Sequence, residues 1–264
     1  MSHFDPVPAA QALLSARAAR QPVVPLPPGT APRDEAEAAA VQRAMADQLG
    51  VVLGGFKIGA TGRRMQEYLG IDHPCAGFMA APDLHPSGAD LPFAVFRNLA
   101  VECELAVRLA HDLPPCPCSV DQARAAVGEL FAAIEVVENR YGAPPVGDVK
   151  AIGTPTLTAD QFYHAAAVLG APPTDWRGLD LIAIEGRALL DGAEKNAGHG
   201  GELLGDPMRG LAWLAGSPVA AVFGGLRAGQ VVMLGSVTPP LWIAAPGTVE
   251  MRFGGLPPVS VRFV

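Results

Sequence analysis

The sequence predicts an α+β fold, with helices gathered at the start and a mixed β layout of short strands after them. Three observations point there. Apolar residues recur at helical spacing mainly within residues 1–50. Thirty Gly and 26 Pro in 264 residues call for many turns and short strands rather than long helices. Half of the residues are hydrophobic and 17% are charged, enough to form a sizeable core and too apolar for charge-driven disorder. The expected division is a helical cap or assembly element over 1–50 and a β-rich domain over 51–264.

Residues 5–20 read as an Ala-rich helix, followed by a Pro-rich connection over 21–30. Pro32, Asp34 and Glu35 are start signals for a second helix. Its apolar positions run through Val41, Met45 and Leu49, and Gly50 stops it. Residues 51–58 read as a strand, and Arg64–Leu69 as a short helix. A long strand is expected within 95–109, a helix over 121–130, and a strand over 131–137. Residues 181–190 resemble a hairpin. Asp206 and Pro207 open a helix, and strands over 231–234, 248–253 and 259–264 close the chain.

Composition excludes several classes. A net charge of −7 gives no electrostatic reason to expect nucleic-acid binding. No basic block suggests a membrane surface, and no secretory signal is visible. The uncharged runs over 210–226 and 228–249 carry Gly and Pro breakers that fit buried pieces better than a span of about 20 residues. The expectation is a cytoplasmic protein. Cys75, Cys103, Cys116 and Cys118 lack paired C-x₂-C spacing, so they read as reduced thiols rather than a zinc site.

Three carboxylates carry the chemistry. Glu102 and Glu104 lie in Val-Glu-Cys-Glu-Leu, where i and i+2 of a strand share a face and Cys103 points the other way. Glu135 lies in a second apolar stretch, Ala-Ile-Glu-Val-Val. Adjacent buried carboxylates resist ionisation unless a cation sits between them. An all-oxygen trio suits Mg²⁺ or Mn²⁺. Lys57, in Gly-Phe-Lys-Ile-Gly, could hold a substrate carboxylate, or shuttle a proton if burial lowers its pKa. Arg140 is expected to pair with a carboxylate, and Glu138 to face away from Glu135. His73 could enter the pocket mouth, whereas His164, opening an apolar run, reads as structural.

Several segments, in order, resemble one family: Gly55-Phe-Lys-Ile-Gly, Met65-Gln-Glu-Tyr-Leu-Gly-Ile-Asp-His-Pro, Val101-Glu-Cys-Glu-Leu-Ala-Val, Ala133-Ile-Glu-Val-Val-Glu-Asn-Arg-Tyr, Leu204-Gly-Asp-Pro, Arg227-Ala-Gly-Gln-Val and Gly235-Ser-Val-Thr. Over about residues 50–264 the chain resembles the 2-keto-4-pentenoate hydratase and 4-oxalocrotonate decarboxylase branch of the fumarylacetoacetate hydrolase superfamily. The resemblance implies a mixed β-sheet roll whose open end holds a divalent cation, in a cytoplasmic homo-oligomer. It implies Glu102, Glu104 and Glu135 as ligands of Mg²⁺ or Mn²⁺, and Lys57 as the active-site lysine. Ser236 and Thr238 would lie near a small 2-oxo acid substrate. The implied reaction is hydration of a 2-hydroxydienoate. Decarboxylation, acylpyruvate C–C hydrolysis and a silent metal- and dicarboxylate-binding relative are the alternatives. The chain departs from the family twice. Cys75 follows Pro74 where an acidic residue is usual nearby. Asp160-Gln-Phe-Tyr stands for Asp-Asn-Ala-Ser, after an apparent insertion near 144–147, so Gln161 would supply the substrate-facing amide on a longer stem.

Overall fold

A computed structural model describes residues 4–142 and 149–264, so the apparent insertion near 144–147 lies outside the described residues. Two helices come first, α1 (Val7–Ala18) and α2 (Glu35–Leu49). The Asp34 side chain caps α2 by accepting from the Glu37 N–H, and Gly50 ends it in the left-handed region, where a glycine carries no Cβ penalty. Within α2 the buried Gln42 amide donates to the carbonyls of Ala76 and Thr158 and accepts from the Phe78 N–H. One side chain thereby ties the helix to the sheet beneath it.

The strands in chain order are β1 (Leu53–Gly59), β2 (Cys75–Ala80), β3 (Leu84–Pro86), β4 (Ala89–Leu91), β5 (Leu99–Leu109), β6 (Val127–Glu138), β7 (His164–Leu169), β8 (Glu185–Leu190), β9 (Ala193–His199), β10 (Val231–Ser236), β11 (Leu241–Trp242), β12 (Gly247–Phe253) and β13 (Val259–Phe263). The remaining helices are α3 (Arg63–Leu69), α4 (Val120–Ala126), α5 (Val149–Ile152), α6 (Thr154–Ala159), α7 (Pro207–Ala215) and α8 (Pro218–Val222). The larger sheet runs β2-β1-β10-β5-β6-β7-β3, with β11 paired to β5; the smaller runs β4-β13-β12-β8-β9. Each mixes parallel and antiparallel pairs. The α+β class with mixed sheets expected from the sequence is therefore borne out.

The long β5/β6 ladder organises the molecule. Side-chain alternation sends Val101, Cys103, Leu105 and Val107 of β5 and Leu130, Ala132, Ile134 and Val136 of β6 into the main core, as expected for Cys103. The opposite face is divided along its length. Ala106, Phe131, Ala133, Met233, Val231 and Met79 form a separate small apolar cluster at one end. Glu102, Glu104 and Glu135 continue the same face at the other, following the period of two.

Two sequence expectations shift. The helix over 121–130 stops at Ala126, and Val127–Leu130 extend β6 instead. Ala123, Ala126, Val127 and Leu130 fit a helical stripe as well as a strand, and pairing with β5 decides between them. The hairpin expected over 181–190 is formed by β8 and β9, joined at Asp191-Gly192, both with positive φ. Among the described residues no helix is long and apolar enough to cross a membrane.

Candidate metal centre and adjoining cleft

The β5/β6 register sets Glu102 directly opposite Glu135. Glu104, two residues along β5, completes a triangle. One carboxylate oxygen from each of the three lies within 4.8 Å of the others. Glu104 and Glu135 are 0% exposed. Like charges placed opposite each other on adjacent strands destabilise a sheet, so this arrangement needs a compensating positive group.

Part of that compensation is built in. Lys57, on β1 and only 1% exposed, places Nζ 3.2 Å from Glu135 Oε1 and donates to the Phe162 carbonyl at 3.0 Å. His164 Nδ1 lies 2.9 Å from the same Glu135 oxygen. The register of β10 on β5 shifts between Met233 and Ser236. Gly235, at φ +110°, thereby turns its N–H onto Glu104 Oε2 at 3.0 Å. A Cβ there would sit 2.7 Å from the Thr61 side chain, so the position requires glycine.

The compensation is incomplete. Glu104 Oε1, Glu135 Oε2 and His164 Nε2 are buried with no hydrogen-bond partner among the described residues. Burial, with Glu135 adding repulsion, pushes the Glu102 carboxyl up to about 7. Burial and both neighbouring carboxylates lift Glu104 well above the usual range. Burial also opposes ionisation of Glu135, but Lys57 and His164 outweigh it and hold that carboxyl below its ordinary value. For Lys57, burial works against the charge, and the three carboxylates more than offset it, so its pKa is raised. The burial-lowered lysine considered from sequence is thus not what forms. Three carboxylates and one ammonium leave two negative charges in excess when all are ionised, the charge of one divalent cation. Hard oxygen donors, two orphaned oxygens and this deficit fit a hard divalent cation.

The group opens onto a cleft with two adjoining lobes. The inner lobe, a cavity of about 200 Å³, is lined by Lys57 and Glu102 together with Met65, Val137, Asn139, Phe162, Tyr163, Pro240 and Trp242. Met65 and Pro240 also line the outer lobe, a larger cavity of about 640 Å³, with Arg64, Tyr68, Glu202, Ser236 and Thr238 among its walls. Ser236, paired with Glu104 across the strands, donates its hydroxyl to the Thr238 carbonyl at 2.8 Å.

Two expected site residues lie elsewhere. Gln161 does not reach the cleft: its amide nitrogen donates to the Phe78 carbonyl at 2.6 Å, and its oxygen accepts from Arg17 at 2.5 Å. The physical reason is a run of positive φ at Gln161, Phe162 and Tyr163, which turns Gln161 inward and presents Phe162 and Tyr163 instead. His73 lies outside both lobes, with Nδ1 2.9 Å from the Pro74 carbonyl and 3.1 Å from Glu35 Oε1. Cys75, where the family pattern changes, accepts from the Thr158 hydroxyl, and burial pushes its thiol up to about 11. It packs as a neutral group. His164 is the residue that sequence reasoning missed: 2% exposed, it orients Glu135. Its only signal was an isolated imidazole opening a strand of small residues.

Behind Gln161 lies a second buried charged group. Asp160, fully buried, accepts from Arg17 Nε at 2.7 Å, Arg140 Nε at 3.0 Å and the Tyr141 hydroxyl at 2.6 Å. Arg140 thus pairs with a carboxylate, as expected, and it also lies 3.5 Å from Glu138.

Comparison with known proteins adds to this geometry. The family model for the fumarylacetoacetate (FAA) hydrolase C-terminal domain matches residues 55–264. The chain is 32% identical over 260 residues to a 2-keto-4-pentenoate hydratase of Paraburkholderia phymatum, covering 95% of this chain and 94% of that one. It is 33% identical over 215 residues to a protein of the same name from Burkholderia vietnamiensis, covering 79% and 77%. Among solved structures, the 4-oxalocrotonate decarboxylase of Pseudomonas putida G7, complexed with magnesium and adipate, superposes with a TM-score of 0.88 at 21% identity, covering 100% and 99% of the two chains. That likeness establishes the fold.

Proposed function

The chain belongs to the fumarylacetoacetate hydrolase family, in the branch of the 2-keto-4-pentenoate hydratases, and from that premise we propose that it is a divalent-metal-dependent hydratase of a small 2-hydroxydienoate. The observation that carries the reading is the triad of Glu102, Glu104 and Glu135, with two orphaned oxygens, beside Lys57 at the wall of a mainly apolar cleft. In the reaction the elements of one water add to the conjugated acid, and the hydroxyl ends on C4 of a 4-hydroxy-2-oxo acid.

The three glutamates would hold Mg²⁺ or Mn²⁺, and the ion supplies Lewis-acid stabilisation of charge on the substrate's 2-oxo oxygen. The protein's own groups do the rest. Lys57 spends two of its donors on Glu135 and Phe162, and an ammonium has three. The third is available to the substrate carboxylate. His164 fixes the orientation of Glu135, as outer partners of metal ligands commonly do. Met65, Val137, Phe162, Tyr163 and Trp242 shape the inner lobe for a planar, uncharged tail. Ser236 and Thr238, in the outer lobe, offer hydroxyl oxygens that can accept from the incoming water. The same family premise carries the expectation of a cytoplasmic homo-oligomer; light scattering tests the oligomeric state and cell fractionation the location.

The test is turnover of 2-hydroxypenta-2,4-dienoate with Mg²⁺, followed as loss of the dienol absorbance. Turnover that stops with a chelator is the expected result. Release of carbon dioxide from 4-oxalocrotonate without dienoate hydration would replace the reading with a decarboxylase. Oxalate binding with no turnover of either would replace it with a silent relative.

A further inference from the structure

We propose that Arg17, on the N-terminal helix α1, is a positioning residue for the active site: it locks the strained Gln161–Tyr163 turn that holds Lys57 and walls the cleft. The inference rests on the hydratase reading only for its activity readout.

The turn is the unusual object. Gln161, Phe162 and Tyr163 have φ of +60°, +47° and +69°, three consecutive non-glycine residues in a region that L side chains avoid. Each such residue costs on the order of 1 kcal/mol or more, and a run persists only where its surroundings over-determine it. Those surroundings are explicit. The Asp160 carbonyl accepts from both Arg17 and Arg140, at 2.9 and 3.1 Å. The Asp160 carboxylate takes both guanidinium Nε groups and the Tyr141 hydroxyl. Two glycines make room: a Cβ on Gly59 would lie 2.4 Å from the Phe162 ring, and one on Gly77 would lie 3.0 Å from the Gln161 backbone.

The turn reaches the chemistry directly. The Phe162 carbonyl accepts from Lys57 Nζ at 3.0 Å, and Nζ also lies 5.0 Å from the Phe162 ring centroid. Phe162 and Tyr163 both line the inner lobe. Arg17 differs from Arg140 in one respect that matters here. It alone also grips the Gln161 side chain, so its fork spans Asp160, just before the turn, and Gln161, its first residue. A planar, five-donor guanidinium suits that task, and a lysine does not. The N-terminal helix thus acts on the site through a chain of contacts from Arg17 to Asp160 and Gln161, then to Phe162, then to Lys57.

A purely structural arginine would lower stability and leave the surviving folded enzyme unchanged. A positioning arginine changes Lys57. The experiment compares the parent with Arg17→Ala, Arg17→Lys, Lys57→Ala and the Arg17→Ala/Lys57→Ala double variant, as full-length proteins. Arg17→Ala is expected to lower kcat/KM by up to about 100-fold, the loss a displacement of about 1 Å can produce, with KM raised because Lys57 holds the substrate carboxylate. In the Lys57→Ala background the same substitution is expected to cost less than about twofold, because its target is gone. Methylguanidinium should restore turnover to Arg17→Ala only.

A second readout needs no catalysis. The sequence holds three lysines, Lys57, Lys150 and Lys195, and the latter two are exposed. Reductive methylation of the metal-free protein, read by mass spectrometry, should spare Lys57 in the parent and label it several-fold faster in Arg17→Ala, with Lys150 and Lys195 as internal references. If Arg17→Ala does not fold, Arg17→Lys carries both measurements. Unchanged Lys57 labelling, or an equal cost of Arg17→Ala in both backgrounds, overturns the proposal. Absence of dienoate turnover in the parent would sink the hydratase reading instead and leave the labelling comparison standing.

Discussion

Two buried charged groups lie on either side of the Gln161–Tyr163 turn, and they are built to opposite standards. Around Asp160 every donor and acceptor is matched: two guanidiniums and a phenol meet one carboxylate, and Glu138 lies close enough to Arg140 to balance the second cation. Around Glu135 the matching stops short, with orphaned oxygens on Glu104 and Glu135 and three carboxylates facing a single ammonium. Burial acts on both groups equally. What separates them is the number of cations supplied by the chain. Asp160 is held below the ordinary carboxylate range by Arg140 and Arg17 despite its burial, whereas Glu104 is lifted far above it. A satisfied network fixes structure; an unsatisfied one marks where something from outside belongs.

The sharpest way to break that contrast is a pair of substitutions with reciprocal outcomes. Glu104→Ala should abolish Mn²⁺ binding in calorimetry, a loss beyond the roughly 10–100-fold that removing an outer partner costs. Because it removes a repelled buried carboxylate, the metal-free fold should be as stable as the parent or more so. Full Mn²⁺ affinity in that variant would refute the triad. Asp160→Ala should do the reverse and destabilise the protein by about 3–5 kcal/mol in urea unfolding, by leaving two guanidiniums without their shared partner. A smaller next effect sharpens the same point: a divalent cation at about 100 times its Kd should stabilise the parent by roughly 2.7 kcal/mol. Differential scanning calorimetry should show that rise in the parent and none in Glu104→Ala.

How much of this was legible beforehand follows the range of each interaction. The Glu102/Glu104 pair was readable because a strand's period of two is local. Glu135 was readable as a carboxylate out of place among Ala, Ile and Val. Its position directly across from Glu102 was not, because one sequence does not state register. His164 was passed over for the same reason, since its meeting with Glu135 depends on the β6/β7 register and its irregularity between Val136 and Val137. Gln161 was misplaced because three successive positive φ values at Gln, Phe and Tyr carry no local signature. Their surroundings come from elsewhere in the chain: Arg17, 143 positions away, and Arg140 on Asp160, with room made by Gly59 and Gly77. Asp160 itself was visible only as the start of an altered motif.

The smallest predicted effect probes the satisfied side. Tyr141→Phe deletes the 2.6 Å hydroxyl bond to Asp160 and keeps the ring, whose edge-to-face packing on Tyr163 at 5.3 Å needs no hydroxyl. Hydrogen bonds to charged partners contribute roughly 1.5–3 kcal/mol. Asp160 keeps both guanidiniums, so a loss of about 1.5 kcal/mol is expected at neutral pH. The sign of the pH dependence follows from the depressed folded pKa. Asp160 binds its proton less readily in the folded state than in the unfolded chain, so its ionised form stabilises the fold above the unfolded value of 3.8. That contribution is lost as pH falls from there through the folded pKa. Tyr141→Phe removes one of the causes of the depression, so the variant has less to lose. Urea unfolding of parent and variant should therefore differ most at neutral pH and converge below about pH 4. A gap that stays constant into acid would assign the Tyr141 hydroxyl to packing rather than to the charge on Asp160.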